Sequence, residues 1–177
     1  MAVIVEGTPP TRLRFTFPES WHVDKFDAGN FYRKHILWLE GMKAVDILAS
    51  RGDLLQLIEI KDFRGHGIQN LKKQESGRLI IDVSKKFVDT FAALVAAKRS
   101  EERGLAPFYT LLCDLQKRPV EVILFLERDD PETMLRRHKL TLADLTAKLR
   151  RLMSPYRVRC RVMDRRHMPK EIEWTVR

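Results

Sequence analysis

The alternation of hydrophobic and polar positions is clearest near the start of the chain. In TRLRFTF (11–17), Leu13, Phe15 and Phe17 share one side and Arg12 and Arg14 the other, the period-two pattern of a half-buried strand. FPES then breaks the pattern. In DAGNFYRKHILWL (27–39), Phe31, Ile36, Leu37, Trp38 and Leu39 recur at mixed helical spacing, which predicts a helix ended by Gly41. KAVDILAS and LLQLIEIKDF flank Arg51-Gly52-Asp53, and two apolar runs about a short glycine turn predict an antiparallel hairpin. The Arg-Gly-Asp tripeptide is that turn rather than an adhesion motif.

Residues 64–79 are polar and basic and read as a loop with a short helical turn near 68–75. From Ser84 to Arg99, the positions of Phe87, Phe91, Leu94 and Val95 predict an amphipathic helix with Ser84 as its N-cap. FYTLLCDL (108–115) fits strand or helix. VEVILFLE (120–127) is almost continuously apolar, which suits a strand covered on both faces. Thr141 and Asp144 form a capping-box pattern ahead of Leu142, Leu145, Leu149 and Leu152. RVRCRVM and EIEWTVR are two further strand candidates. With no repeat or linker, residues 1–177 read as a single α/β domain.

Composition narrows the class. At 177 residues with 44% hydrophobic and 32% charged positions, the chain suits an ordered globular domain and not a disordered one. Its apolar runs are of strand length, so neither a membrane span nor a secretory leader is expected. Two cysteines, Cys113 and Cys160, make no disulfide framework, and Cys113 reads as a core residue rather than a nucleophile. The expected setting is reduced and cytoplasmic. Thirty-three Lys and Arg against 24 Asp and Glu leave a net charge of +9, which points to a polyanionic partner such as nucleic acid.

The chemistry gathers at the hairpin. Asp46 opposes Val45 and Ile47 in facing, while Glu59 and Lys61 share one face of the second strand. A turn at Arg51–Asp53 sets Asp46 opposite residue 58 or, with a shift of one, residue 59. Two carboxylates and an ammonium then converge at the open end. Close carboxylates are stabilised by a shared proton or a divalent ion, and a few hard oxygen ligands suit Mg²⁺. Such an ion with a neighbouring lysine is a minimal set for phosphodiester hydrolysis. The plain alternative is a solvated Glu–Lys pair on an exposed hairpin.

Asp46, followed after twelve residues by Glu59-Ile60-Lys61, resembles the signature of the PD-(D/E)xK nuclease superfamily. The resemblance spans about residues 27–126. It implies a restriction endonuclease-like αβββαβ core, a mixed central sheet flanked by helices; the helix and strands read from the pattern over 140–177 follow that core. The third strand would come from LIIDV (79–83) or from RLRFTF. By resemblance, Asp46, Glu59 and the Ile60 carbonyl would hold Mg²⁺ or Mn²⁺, Lys61 would be the catalytic lysine, and DNA would be the substrate.

The sequence departs from the family at two points. Val45 stands where the motif has proline, and 27–39 holds no glutamate, Glu40 being near. A further glutamine or lysine of some subfamilies would be Gln69, Gln74 or Lys85. Candidate nucleic-acid contacts are His66, Lys72, Lys73, Lys85 and the arginine face Arg157, Arg159, Arg161, which equally suits edge-strand protection. The resemblance leaves open a homodimer or a partner subunit. It also leaves open a chain whose site has decayed into a nucleic-acid-binding or scaffold protein, or an unrelated interaction protein.

Overall fold

In the computed structural model, which describes residues 1–65, 77–114, 119–129 and 140–177, the described residues form eight strands and three α-helices, joined by short 3₁₀ and π-type turns. These are β1 (Ala2–Glu6), β2 (Leu13–Phe17), β3 (His22–Asp24), β4 (Ile47–Arg51), β5 (Leu54–Asp62), α1 (Arg78–Arg99), α2 (Ala106–Cys113), β6 (Val120–Glu127), α3 (Leu142–Met153), β7 (Arg159–Met163) and β8 (Thr175–Val176). Five strands form a mixed sheet in the order β3-β4-β5-β6-β7, and β1-β2-β8 form a second, antiparallel sheet.

The hairpin fixes the register of the large sheet. Arg51 pairs with Leu54 and Ile47 with Ile58, so Gly52 and Asp53 alone make the turn. Gly52 has φ 53, a left-handed value that glycine adopts at little cost and that two-residue hairpin turns require. β3 adds antiparallel to β4, whereas β6 and β7 add parallel beyond β5. The parallel step from β5 to β6 needs a crossover, and α1 and α2 lie within it.

Alternation along β5 sends Leu55 and Leu57 to one core and Ile58 and Ile60 to the other. The first core is filled by α1, α2 and α3, with Val83, Phe87, Leu94, Phe108, Leu145 and Leu149 packed on Leu124, Leu126 and Val162. The second is covered by the small sheet, where Phe15, Phe17 and Trp174 pack on Ile123 and Phe125. Phe15 meets Phe125 edge to face at 5.0 Å. Each fully buried side chain of this kind stabilises the fold by about 1.5–3 kcal/mol.

Several sequence expectations hold and several are corrected. β2 buries Leu13, Phe15 and Phe17, and β6 is buried along nearly its whole length. The capping box forms, with Thr141 accepting from the Asp144 N–H at 3.1 Å and Asp144 accepting from the Thr141 N–H at 2.9 Å. FYTLLC is helical, and Pro107 suits its first turn.

The helix expected over 27–39 is instead a 3₁₀ turn at Phe26–Ala28 and a π-type turn at Tyr32–Ile36. Only Phe31, Tyr32 and Ile36 find cover there, which leaves no continuous apolar stripe. The helix expected from Ser84 begins at Arg78 and absorbs LIIDV, because Leu79, Ile80 and Val83 extend the stripe of Phe87 and Leu94. Ser84 is therefore inside α1 and caps nothing. The third antiparallel strand is β3, neither LIIDV nor RLRFTF. Helices flank one face of the large sheet, and a small sheet covers the other. Arg157 lies before β7 in a left-handed turn (φ 53), so the expected arginine face is not continuous.

Among the described residues, no helix is long and apolar enough to cross a membrane. Cys113 is partly buried and Cys160 buried, and both are free.

Candidate functional site

The register Ile47–Ile58, continued one step past the end of β4, sets Asp46 beside Glu59. Asp46 is 7% exposed and Glu59 fully buried, so both carboxylates lie inside the protein at the open end of the hairpin. Asp46 Oδ2 accepts the Ile60 N–H at 2.5 Å. In an extended strand, one residue's N–H and C=O leave on the same edge. The Ile60 carbonyl therefore also opens toward Asp46, beyond the last rung of the β4–β5 ladder.

Glu59 is held by two lysines. The Lys61 ammonium binds its Oε1. Lys86, from α1, reaches Oε1 at 2.7 Å and Oε2 at 2.9 Å, and stands 3.9 Å from Asp46 Oδ1. One ammonium thus spans both carboxylates. α1 is registered on the strand by further contacts, since Thr90 Oγ1 accepts the Val45 N–H at 3.1 Å and donates to the Lys86 carbonyl at 2.7 Å.

The charges are tuned by burial and by one another. Burial raises the Asp46 carboxyl pKa despite Lys86 and the Ile60 N–H. Burial, with Asp46 adding to it, pushes Glu59 up to about 7 despite both lysines. Burial would lower Lys86, but Glu59 and Asp46 outweigh it and hold the ammonium above its ordinary value. Asp27, in the turn after β3, is raised by burial and then by Asp46. Its Oδ1 is buried without a hydrogen-bond partner. That turn is pinned to the site by the Phe26 N–H, which donates to the Asp46 carbonyl at 3.0 Å.

Asp46, Glu59, Ile60 and Lys61, singled out from the sequence, therefore come together. Lys85 does not join them; it is exposed on α1 beside a surface depression lined by Ile81, Val88 and Tyr156. Glu40 is exposed. Arg161 is engaged elsewhere, by the buried Glu121 and by Glu171 at 3.0 Å, while Arg157 and Arg159 are exposed. His66, Gln69, Lys72, Lys73 and Gln74 lie outside the described residues.

Two members escaped sequence reasoning. Lys86 falls three residues after Val83 and four before Thr90, both buried, so a lysine on the apolar stripe of α1 was the available signal. Asp27 carries no such signal, because only folding brings its turn to Asp46.

The donor set suits a small hard cation: two carboxylates and a carbonyl oxygen, with no soft ligand. It is not a set of three acids. Among the described residues, no three His, Cys, Asp or Glu side chains form a metal-holding group, and the Lys86 ammonium spans the carboxylates instead.

No family model and no solved structure matches the chain. It is 28% identical over 162 residues to the cysteine–tRNA ligase of Neisseria meningitidis serogroup A, a match that takes in 76% of this chain and 23% of the ligase. The chain thus spans less than a quarter of that relative's length.

Proposed function

We propose that this chain is a metal-dependent nuclease of the restriction endonuclease-like class, hydrolysing DNA phosphodiester bonds at the Asp46–Glu59–Lys61 site. One observation carries the reading: Asp46 and Glu59 meet, buried, at the open end of the hairpin, beside the Ile60 backbone. An ordinary exposed hairpin would leave these charges in water. The β3-β4-β5 meander followed by α1 and the parallel β6 supports the same fold class.

Asp46, Glu59 and the Ile60 carbonyl would hold Mg²⁺ or Mn²⁺. The ion would supply the positive charge that polarises a phosphodiester and acidifies water. The chain's own residues do the rest. Lys61 is anchored on Glu59, so its ammonium is fixed at the site mouth, where it can stabilise charge growing on phosphate oxygens. Asp46 is locked by the Ile60 N–H, which keeps one of its oxygens on the strand and leaves the other turned toward Lys86.

A second reading has its own observation. Lys86 already compensates both carboxylates, which suits a nucleic-acid-binding protein that does not cut. Incubation with Mg²⁺ or Mn²⁺ and linear, nicked, single-stranded and branched DNA separates the two, beside Asp46→Asn and Lys61→Ala. Cleavage by the native chain alone supports the nuclease. DNA binding that weakens steeply with salt, without cleavage by any form, overturns it in favour of the second reading.

A further inference from the structure

Of three tryptophans, Trp21 and Trp174 are buried, while Trp38 is 82% exposed between Leu37 at 57% and Leu39 at 52%. The segment is firmly held. Phe31, Tyr32 and Ile36 are buried beneath it. The Leu37 N–H donates to the Tyr32 carbonyl at 2.9 Å, and the Leu39 N–H to the Ile36 carbonyl at 2.9 Å. Three adjacent exposed apolar side chains on a fixed turn mark an interaction surface.

The surroundings identify its occupant. Arg33, Lys34, His35 and Lys43 are exposed on the same short stretch, with Glu40 the acid among them. Arg33, Lys34 and Lys43 form no side-chain ion pair among the described residues. A purely apolar partner matched to Leu-Trp-Leu would leave these cations without anions. Nucleic acid with unpaired bases meets both demands, because a base offers a flat face to the indole and its phosphates meet the cations. Paired bases hide those faces inside the duplex.

The ridge also leads to the site. The Lys43 N–H donates to Asp89 Oδ2 at 3.0 Å, and the Val45 N–H to Thr90 Oγ1 at 3.1 Å. Asp89 and Thr90 are on the turn of α1 that follows Lys86.

We infer that Leu37–Leu39 is a stacking platform for unpaired bases, with Trp38 as the stacking ring and Arg33, Lys34 and Lys43 following the phosphates. Single-stranded DNA, or a single-stranded stretch beside a duplex, is then the substrate class. The assignment of that strand as substrate rests on the nuclease reading; the binding surface itself does not.

The exposed indole makes the test direct. Native chain in EDTA is titrated with oligo(dT) of about 16 nucleotides, the upper end of common single-strand site sizes, and with a blunt duplex, while tryptophan emission is followed. The expected result is quenching by the single strand and little by the duplex. Trp38→Ala should bind the single strand about five- to a hundredfold more weakly, with Trp38→Phe retaining most of the affinity and circular dichroism unchanged. Lys34→Ala with Lys43→Ala should flatten the salt dependence. Unquenched emission, or equal affinity of Trp38→Ala, overturns the inference. So does sedimentation showing a native oligomer that Trp38→Ala dissolves, which would make the ridge a protein interface. Quenching without cleavage by the native chain in Mg²⁺ leaves the platform standing and removes the nuclease reading.

Discussion

Asp46 reaches past the end of its own strand to accept the Ile60 N–H at 2.5 Å, so a side chain completes the ladder where β4 stops. The same carboxylate is 7% exposed, and burial raises its pKa. Two opposed effects follow from replacing it. Loss of the charge relieves desolvation, while loss of the oxygen leaves a buried N–H without an acceptor. Asp46→Ala suffers the second and should lose about 1–3 kcal/mol. Asp46→Asn keeps an acceptor oxygen and drops the charge, so it should stay within about 0.5 kcal/mol of the native chain or exceed it. Urea denaturation in EDTA measures both. Equal losses for Ala and Asn would contradict the hydrogen-bond account.

Glu59 gives the site its pH dependence. Burial, then Asp46, raises its carboxyl from 4.5 to about 7. The folded chain therefore holds a proton that the unfolded chain has released, and the stability this contributes is complete below pH 4.5. It is lost as pH rises toward 7, and the full loss corresponds to about 3 kcal/mol. Thermal melts of the metal-free chain between pH 5 and 8 should show stability falling with pH, and Glu59→Gln should flatten that fall. A native profile no steeper than that of Glu59→Gln would remove Glu59 as the titrating group.

Lys86 and a divalent ion want the same place. Its ammonium contacts both Glu59 oxygens and stands 3.9 Å from Asp46. Lys86→Met should destabilise the metal-free chain by about 1–3 kcal/mol, because both carboxylates lose a partner while Lys61 still binds Glu59. Mn²⁺ should then raise the melting temperature of Lys86→Met more than that of the native chain, since ligand binding to the folded state stabilises by mass action. Titration calorimetry should give the tighter binding to Lys86→Met. Weaker binding by the variant would make Lys86 a helper of the ion rather than its competitor.

The hairpin was readable because a glycine turn and period-two patterning leave few registers, and Gly52–Asp53 chose one of the two that convergence allowed. The capping box was readable because its chemistry is local. β3 was not, since three residues carry no period, and it is a strand only because β4 offers an edge. The start of α1 falls before the predicted one because LIIDV, four apolar residues and one acid, is too short to show a helical face by itself. Its helical face exists only once Leu79, Ile80 and Val83 are seen packing with Phe87 on the sheet. A start at Ser84 leaves Val83 outside the helix, and with it half of the stripe that marks Lys86 as inward-facing.

The arginines of β7 illustrate how one strand divides its charges. Arg161 points to the small-sheet side, where Glu121 is 3% exposed and also accepts from Gln56 Nε2 at 2.7 Å. Gln56 Oε1 in turn accepts from Trp174 Nε1 at 2.9 Å. Removing the guanidinium leaves a buried carboxylate with an amide for a partner, so Arg161→Ala should cost about 2–4 kcal/mol and disturb the Trp174 environment. Arg159 is exposed, and no ion pair involves it among the described residues. Arg159→Ala should change stability by less than about 0.5 kcal/mol, and under the proposed function its effect should fall on the salt dependence of DNA binding. Paired urea titrations followed by tryptophan emission check the contrast. Equal stability of the two variants would mean that Arg161 is as solvated as its neighbour and that Glu121 is satisfied without it.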